Sequence, residues 1–256
     1  MDLGIKDKLF VVCGATSGFG RSVAEALLEE GAKIIIIART EAKVKAFCDH
    51  CAGIEYIVGD VTTDAVIADI MRKIGKRRLD GVLVNAGGPP AKSFIETEVS
   101  DWDDAYESLL RWKVKLTNFL LPKFIEQNYG RLVFIESVSV KQPIENLVLS
   151  NSLRLAVVGF VKTLSQEIAA HGITANILAP GYHATGAMER LFAKRSELMG
   201  ISPDEARTSF ESEVKSGTLG NPKDLASLAT WLLSPQSAYI TGQTISVDGG
   251  LLKSTF

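Results

Sequence analysis

The stretch Cys13-Gly14-Ala15-Thr16-Ser17-Gly18-Phe19-Gly20 constrains this chain most, because it joins a run that reads as a buried strand to one that reads as a helix. Its glycines follow the spacing G-x-x-x-G-x-G. Glycine is needed where a backbone must turn tightly and approach a phosphate with no Cβ in the way. A helix opening near Gly18 points its unpaired N–H groups and positive dipole end at that turn. A glycine strip alone is weak; a strand before it and a helix after it separate a dinucleotide cradle from a merely tight turn. Gly14, Thr16, Ser17, Gly18, Phe19 and Gly20 are the expected cradle.

The rest of the chain repeats that alternation. Strands are expected over 9–13, 33–38, 54–58, 81–85, 131–136, 173–178 and 244–247, with helices over 18–30, 40–48, 63–74, 101–127, 147–170 and 222–233. Gly31 stops the first helix, as a glycine just past a helix end commonly does. The four consecutive isoleucines Ile34–Ile37 read as a strand buried on both faces, too short for a buried helix. This pattern predicts an α/β fold: a single-domain, Rossmann-type, doubly wound parallel sheet of about seven strands flanked by helices. At 256 residues, with no stretch of linker composition and no repeat, the whole chain 1–256 is expected to form one domain.

Charge and cysteine content narrow the partners. A formal net charge of -2 gives no electrostatic reason to expect nucleic acid or an anionic membrane, and Lys76-Arg77-Arg78 reads as a solvated loop. No apolar run approaches the ~18–20 residues that span a bilayer. The first residues lack the charged start and apolar core of a secretory signal, and three cysteines suit a reducing compartment, so a cytoplasmic location is expected. Cys48-Asp49-His50-Cys51 is a C-x-x-C with a histidine inside it. Structural zinc needs four ligands, and Cys13, His171 and His183 fall in other elements; no metal is expected.

The second strand ends in Ala38-Arg39-Thr40. A carboxylate there would bind the ribose hydroxyls of NAD, whereas arginine accommodates a 2′-phosphate and presents a planar fork to it. NADP(H) is therefore favoured, with NAD(H) possible if Arg39 stacks on adenine or is only solvated. Asp60 in Gly59-Asp60-Val61 is placed to accept from the adenine amino group. Asn85-Ala86-Gly87-Gly88 ends the fourth strand at the carboxyl edge, where open α/β sheets bind ligands.

With Pro180-Gly181, Thr185, Ile240-Thr241-Gly242 and Val247-Asp248-Gly249-Gly250, these motifs resemble the short-chain dehydrogenase/reductase family, more narrowly its β-ketoacyl carrier-protein reductases. The resemblance runs from Lys8 to Gly250 and is specific for the fold, not for a substrate. It implies an oxidoreductase acting on a small-molecule carbonyl or alcohol. It places Asp60 and Val61 at the adenine, and Asn85, Ala86, Gly87, Pro180, Gly181 and Thr185 along the cofactor. It also implies a homo-tetramer or homodimer.

The family uses an Asn–Ser–Tyr–Lys tetrad, and this chain departs from it. Ser137 matches the serine, but the tyrosine position is Ser150, the lysine position is Arg154 and the asparagine maps onto Leu109. Arg154 keeps a cation one helical turn from Ser150. Serine is a far worse acid than tyrosine, whose pKa is ~10. Tyr182 and His183, just after Pro180-Gly181, are candidate replacement proton donors or pocket-shaping residues; Lys141 is a weaker one. Residues 184–217 are expected to be a mostly helical substrate lid, with Met188, Leu191, Phe192, Met199, Ile201 and Phe210 packing onto the body and Gly186 and Gly217 as hinges.

Two functions follow. One is an NAD(P)-dependent oxidoreductase with Ser and Arg in place of Tyr and Lys. The alternative is an NADP-binding pseudoenzyme with a sensing or assembly role.

Overall fold

Strands of branched apolar residues can bury both faces only if helices cover both, and the chain alternates the two elements accordingly. The computed structural model describes residues 2–49 and 54–255. Seven strands, β1 (Leu9–Cys13), β2 (Lys33–Ala38), β3 (Ile54–Val58), β4 (Gly81–Val84), β5 (Gly130–Ile135), β6 (Ile173–Pro180) and β7 (Thr244–Val247), form one parallel sheet in the order β3-β2-β1-β4-β5-β6-β7. The strand order reverses between β1 and β4, so a crevice opens at their carboxyl ends.

The helices are α1 (Gly18–Glu29), α2 (Glu41–Cys48), α3 (Asp64–Ile74), α4 (Val99–Tyr106), α5 (Trp112–Glu126), α6 (Val148–Ile168), α7 (Met188–Met199), α8 (Pro203–Glu213) and α9 (Pro222–Leu233). Side chains alternate across each strand, and the core divides accordingly. Leu9, Val11 and Cys13 join Ile67, Trp112, Leu116, Phe124 and Val161 under α3, α5 and α6. Phe10 and Val12 join Val23, Leu27, Phe47, Leu225 and Leu232 under α1, α2 and α9. The four isoleucines of β2 are buried, two in each layer. Edge strand β3 is more open, leaving Tyr56 and Val58 exposed.

Two expectations need correction. The helix expected over 101–127 is continuous in direction but contains a π-helical turn at Glu107–Arg111 between α4 and α5. The lid is two helices, α7 and α8, with Ser202 capping the second through a reciprocal Ser202–Glu205 box. Its apolar residues build a separate small core: Tyr182, Met188, Phe192, Ala206, Phe210 and Val214 are buried together, with Leu191 and Ile201 packed against them. Met199 is exposed, because it lies at the α7 end facing away from that cluster. His50 and Cys51 lie outside the described residues. Among the described residues, no three His, Cys, Asp or Glu side chains cluster as a metal site, and no helix is long and apolar enough to cross a membrane.

Trp112 is fully buried and its indole N–H donates to the Ser108 carbonyl, tying α5 to the π turn. Truncating a buried tryptophan costs about 3–5 kcal/mol through lost transfer energy and an unfilled cavity. Trp112→Ala should therefore lower the urea midpoint with an unchanged slope, measured by circular dichroism.

Candidate active site

The turn after β1 is closed by contacts that leave no room for a Cβ at Gly14 or Gly20. Gly14 has φ +67°, and a Cβ on Gly20 would sit 2.2 Å from the Gly14 carbonyl oxygen. The Gly14 amide donates to the Ile37 carbonyl at 2.9 Å, and Asn85 Nδ2 donates to the Cys13 carbonyl at 3.3 Å. Thr185, the start of the lid, covers the turn from above: a Cβ on Gly18 would lie 3.5 Å from its Cγ2. The structure thus brings Gly14, Gly18, Gly20, Asn85 and Thr185 together. A cradle lined by backbone amides at a helix N-terminus fits a dinucleotide pyrophosphate. Cys13 beneath it is inert, since burial pushes its thiol up to about 12.

The other expected cofactor residues lie along the same edge. Arg39, past β2, is exposed and makes no ion pair among the described residues. Asp60, past β3, accepts from the Thr62 amide and hydroxyl through Oδ1, which fixes its carboxylate. Val61 is buried beside it. Ala86 and Gly87 continue from β4, Gly87 exposed. The Gly181 amide donates to the Val247 carbonyl at 2.9 Å, and a Cβ on Gly181 would meet Asp248 Cβ at 2.8 Å.

On the substrate side, Ser137 follows β5 and its Oγ accepts from the Ser139 amide at 3.1 Å, so its hydroxyl proton stays available. Ser139 Oγ is buried with no hydrogen-bond partner among the described residues. Ser150 and Arg154 occupy consecutive turns of α6, Ser150 buried. Leu109 is buried in the π turn. Neighbouring Asn151 clamps the incoming loop through Ile144, donating to its carbonyl at 2.9 Å. Lys141, half-buried, follows the Ser137 turn.

Arg154 is held by residues that the sequence reading passed over. Its Nη1 donates to Glu136 Oε2 at 3.0 Å, while Lys113 Nζ donates to Glu136 Oε1. The Glu136 side chain is wholly buried and that of Lys113 nearly so. Burial pushes the Lys113 ammonium below the ordinary lysine range, against the opposing pull of Glu136. Removing one partner of such a buried pair typically costs about 3–5 kcal/mol. A signal existed: Lys113 shares the apolar face of α5 with Leu116 and Leu120, and Glu136 ends an otherwise apolar strand run.

Tyr182 and His183 point into the lid and its base. The Tyr182 hydroxyl donates to Glu213 Oε2 at 3.2 Å, and burial, with Glu213 beside it, pushes the phenol up to about 12. His183 is wedged between the Phe19 ring, 5.0 Å away edge-on, and Gly220, whose added Cβ would lie 2.7 Å from the imidazole. Its Nδ1 donates to the Gly181 carbonyl at 3.2 Å. Burial holds its pKa below the usual 6.5. Both positions speak for shaping the pocket more than for donating protons. A partly open cavity of 270 Å³ lies within the lid, between Thr185, Met188, Phe192, Arg207 and Leu219.

The fold and this edge define a dinucleotide-binding α/β protein of the Rossmann type. The chain belongs to the short-chain dehydrogenase/reductase family: residues 14–252 match the family model described as "Enoyl-(Acyl carrier protein) reductase". It is 31% identical to the 3-oxoacyl-[acyl-carrier-protein] reductase of Haemophilus influenzae over 98% of this chain and 100% of that one. It is 29% identical to that of Vibrio cholerae over 97% and 99%. Among solved structures it resembles an actinorhodin polyketide ketoreductase with NADPH (TM-score 0.90, 28% identity, 97% and 98% of the two chains). It also resembles L-sorbose reductase from Gluconobacter frateurii, complexed with NADPH and L-sorbose (TM-score 0.91, 25% identity, 99% and 100%).

The lowered His183 pKa has a consequence with a definite sign. A group whose folded pKa is depressed contributes stability above its ordinary value, near 6.5, and loses it as pH falls below that toward the folded pKa. Urea unfolding across pH 7.5–5 should show His183→Gln with a flatter acid dependence than the native protein.

Proposed function

We propose that this protein is an NADP(H)-preferring oxidoreductase that reduces a carbonyl, or oxidises the corresponding alcohol, with a Ser–Arg site in place of Tyr–Lys. The observation that carries it is the completeness of the cofactor edge: a cradle with no room for a Cβ at Gly14 or Gly20, closed by Asn85 and covered by Thr185. The relatives point the same way, since both structural neighbours are complexes with NADPH and the bacterial relatives are reductases.

In this reading the amides around Gly14, Thr16, Ser17, Gly18, Phe19 and Gly20 take the pyrophosphate, and Arg39 takes the 2′-phosphate. Asp60 and Val61 bracket the adenine. Asn85, Ala86, Gly87, Pro180, Gly181 and Thr185 line the chain toward the nicotinamide. Bound NADPH would supply the hydride. Ser137, with its proton uncommitted, donates to the substrate oxygen, and Arg154 offers fixed positive charge to oxygen atoms at the nicotinamide end. Charge placed in advance where an oxyanion develops lowers the hydride-transfer barrier, typically by a factor of about 10²–10³ per donor, and the alkoxide so formed takes its proton from solvent water. Ser150, buried one turn before Arg154 on α6, stands at the tyrosine position with a hydroxyl in place of a phenol. Self-association as a dimer or tetramer belongs to the same proposal: Phe119 on α5 and Leu155 on α6 are about half exposed on the outer helix faces.

A second reading, cofactor binding without turnover, is favoured by one observation: position 150 has no phenol, and the Tyr182 hydroxyl is already committed to Glu213. NADPH consumption over a panel of ketones and aldehydes decides between the two. Turnover that falls about 10²-fold in Ser137→Ala, with NADPH binding retained, supports the reductase; binding without turnover on any substrate supports the second reading.

Arg39→Ala tests the cofactor assignment separately. A charge-assisted contact to phosphate contributes about 1.5–3 kcal/mol, so the Kd for NADPH should rise about 10–10²-fold while that for NADH changes little. Fluorescence titration of both nucleotides measures it.

A further inference from the structure

We propose that Glu136 is a positioning residue that sets the plane of the Arg154 guanidinium, with Lys113 holding its second carboxylate oxygen. The inference rests on the reading of Arg154 as a group that faces cofactor or substrate.

A guanidinium is planar and directional, whereas an ammonium presents its charge equally in all directions. Arginine at the lysine position therefore acts only if its plane is fixed. The structure supplies the fixing. Both carboxylate oxygens of Glu136 are engaged, Oε2 by Arg154 Nη1 at 3.0 Å and Oε1 by Lys113, so the carboxylate cannot rotate. With Nη1 held, Nη2 is directed at the carboxyl end of β4, where a Cβ on Gly88 would lie 3.1 Å from it. Arg154 makes no other hydrogen bond among the described residues, so its Nη2 edge is open to an oxygen ligand. Gly88 keeps that approach clear.

Lys113 completes the clamp. It is shut inside on α5 and holds the second carboxylate oxygen, while Arg154, 11% exposed at its side chain, is the member that reaches the crevice. The trio links β5, α5 and α6. Its carboxylate immediately precedes Ser137, so one backbone segment places both Ser137 and the clamp on Arg154.

The test is NADPH binding by the full-length protein, followed by quenching of intrinsic fluorescence, with circular dichroism confirming folding. Glu136→Gln alone strands Lys113 in the interior and can unfold the chain, so the comparison is Lys113→Met against Lys113→Met with Glu136→Gln. Losing the clamp should raise the Kd for NADPH about tenfold between those two, the scale of one charge-assisted contact. In an Arg154→Met background the same addition of Glu136→Gln should change Kd less than twofold, because nothing is left to orient.

An equal Kd with and without Glu136 in the first pair overturns the proposal. So does a tenfold loss that persists without Arg154, since it would mean Glu136 only holds the fold. Native protein that fails to bind NADPH defeats the cofactor reading itself, and with it this inference. Binding without catalysis leaves the comparison intact.

Discussion

A strand buried on both faces leaves polar groups free for a ligand only past its ends, and most of this molecule's chemistry follows from that constraint. β1, β2, β4 and β5 are apolar through nearly their whole length, and in β6 the buried Asn176 is consumed by hydrogen bonds to Ile240 and Gln243. Because all seven strands are parallel, their carboxyl ends fall on one edge. Gly14, Arg39, Asp60, Asn85, Glu136, Ser137 and Gly181 thus come together from distant parts of the sequence, each as the first residue or two past a strand. No long-range contact has to be selected for each of them. The sheet's uniform direction does it.

Burial then divides that edge into two electrical regimes. On the cofactor side the groups are backbone amides and exposed or half-exposed side chains, hydrated and cheap to keep. On the substrate side Lys113, Glu136 and Arg154 form a charged cluster within the apolar packing of α5 and α6. Such clusters are poor sources of stability, because the desolvation cost can match the attraction. Their worth lies in geometry: in a medium of low polarisability, charges held in place act over a short distance with little screening.

The strands, the glycine cradle and the order of elements were legible in the sequence because they depend on local rules. Four isoleucines in a row, a glycine at a helix end and G-x-x-x-G-x-G each carry their cause within a few residues. The π turn at Glu107–Arg111 was not legible, since nothing in Glu-Ser-Leu-Leu-Arg distinguishes it from ordinary helix; it arises where α4 and α5 meet α6. Glu136 and Lys113 lie 23 residues apart. Each alone looks like a misplaced charge, and only the fold shows that they answer each other. Met199 shows the opposite failure: its spacing suited a packed face, but α7 ends there and turns it outward.

The lid shares one small interior with residues on either side of it. Tyr182, Phe192 and Phe210 stack edge-on or tilted at 4.9 and 5.5 Å, and the Arg195 guanidinium lies 3.4 Å above the Phe210 ring while also pairing with Glu213. Tyr182 precedes the lid, and Ile144 and Leu251 pack against the same cluster from outside it, so the lid is seated on the body through shared apolar packing. Swinging α7 and α8 away would uncover part of that cluster, at about 25 cal/mol per Å² of apolar surface exposed. Access to the crevice would then be governed by how tightly these shared side chains pack, more than by the two short connections at residues 184–187 and 214–219.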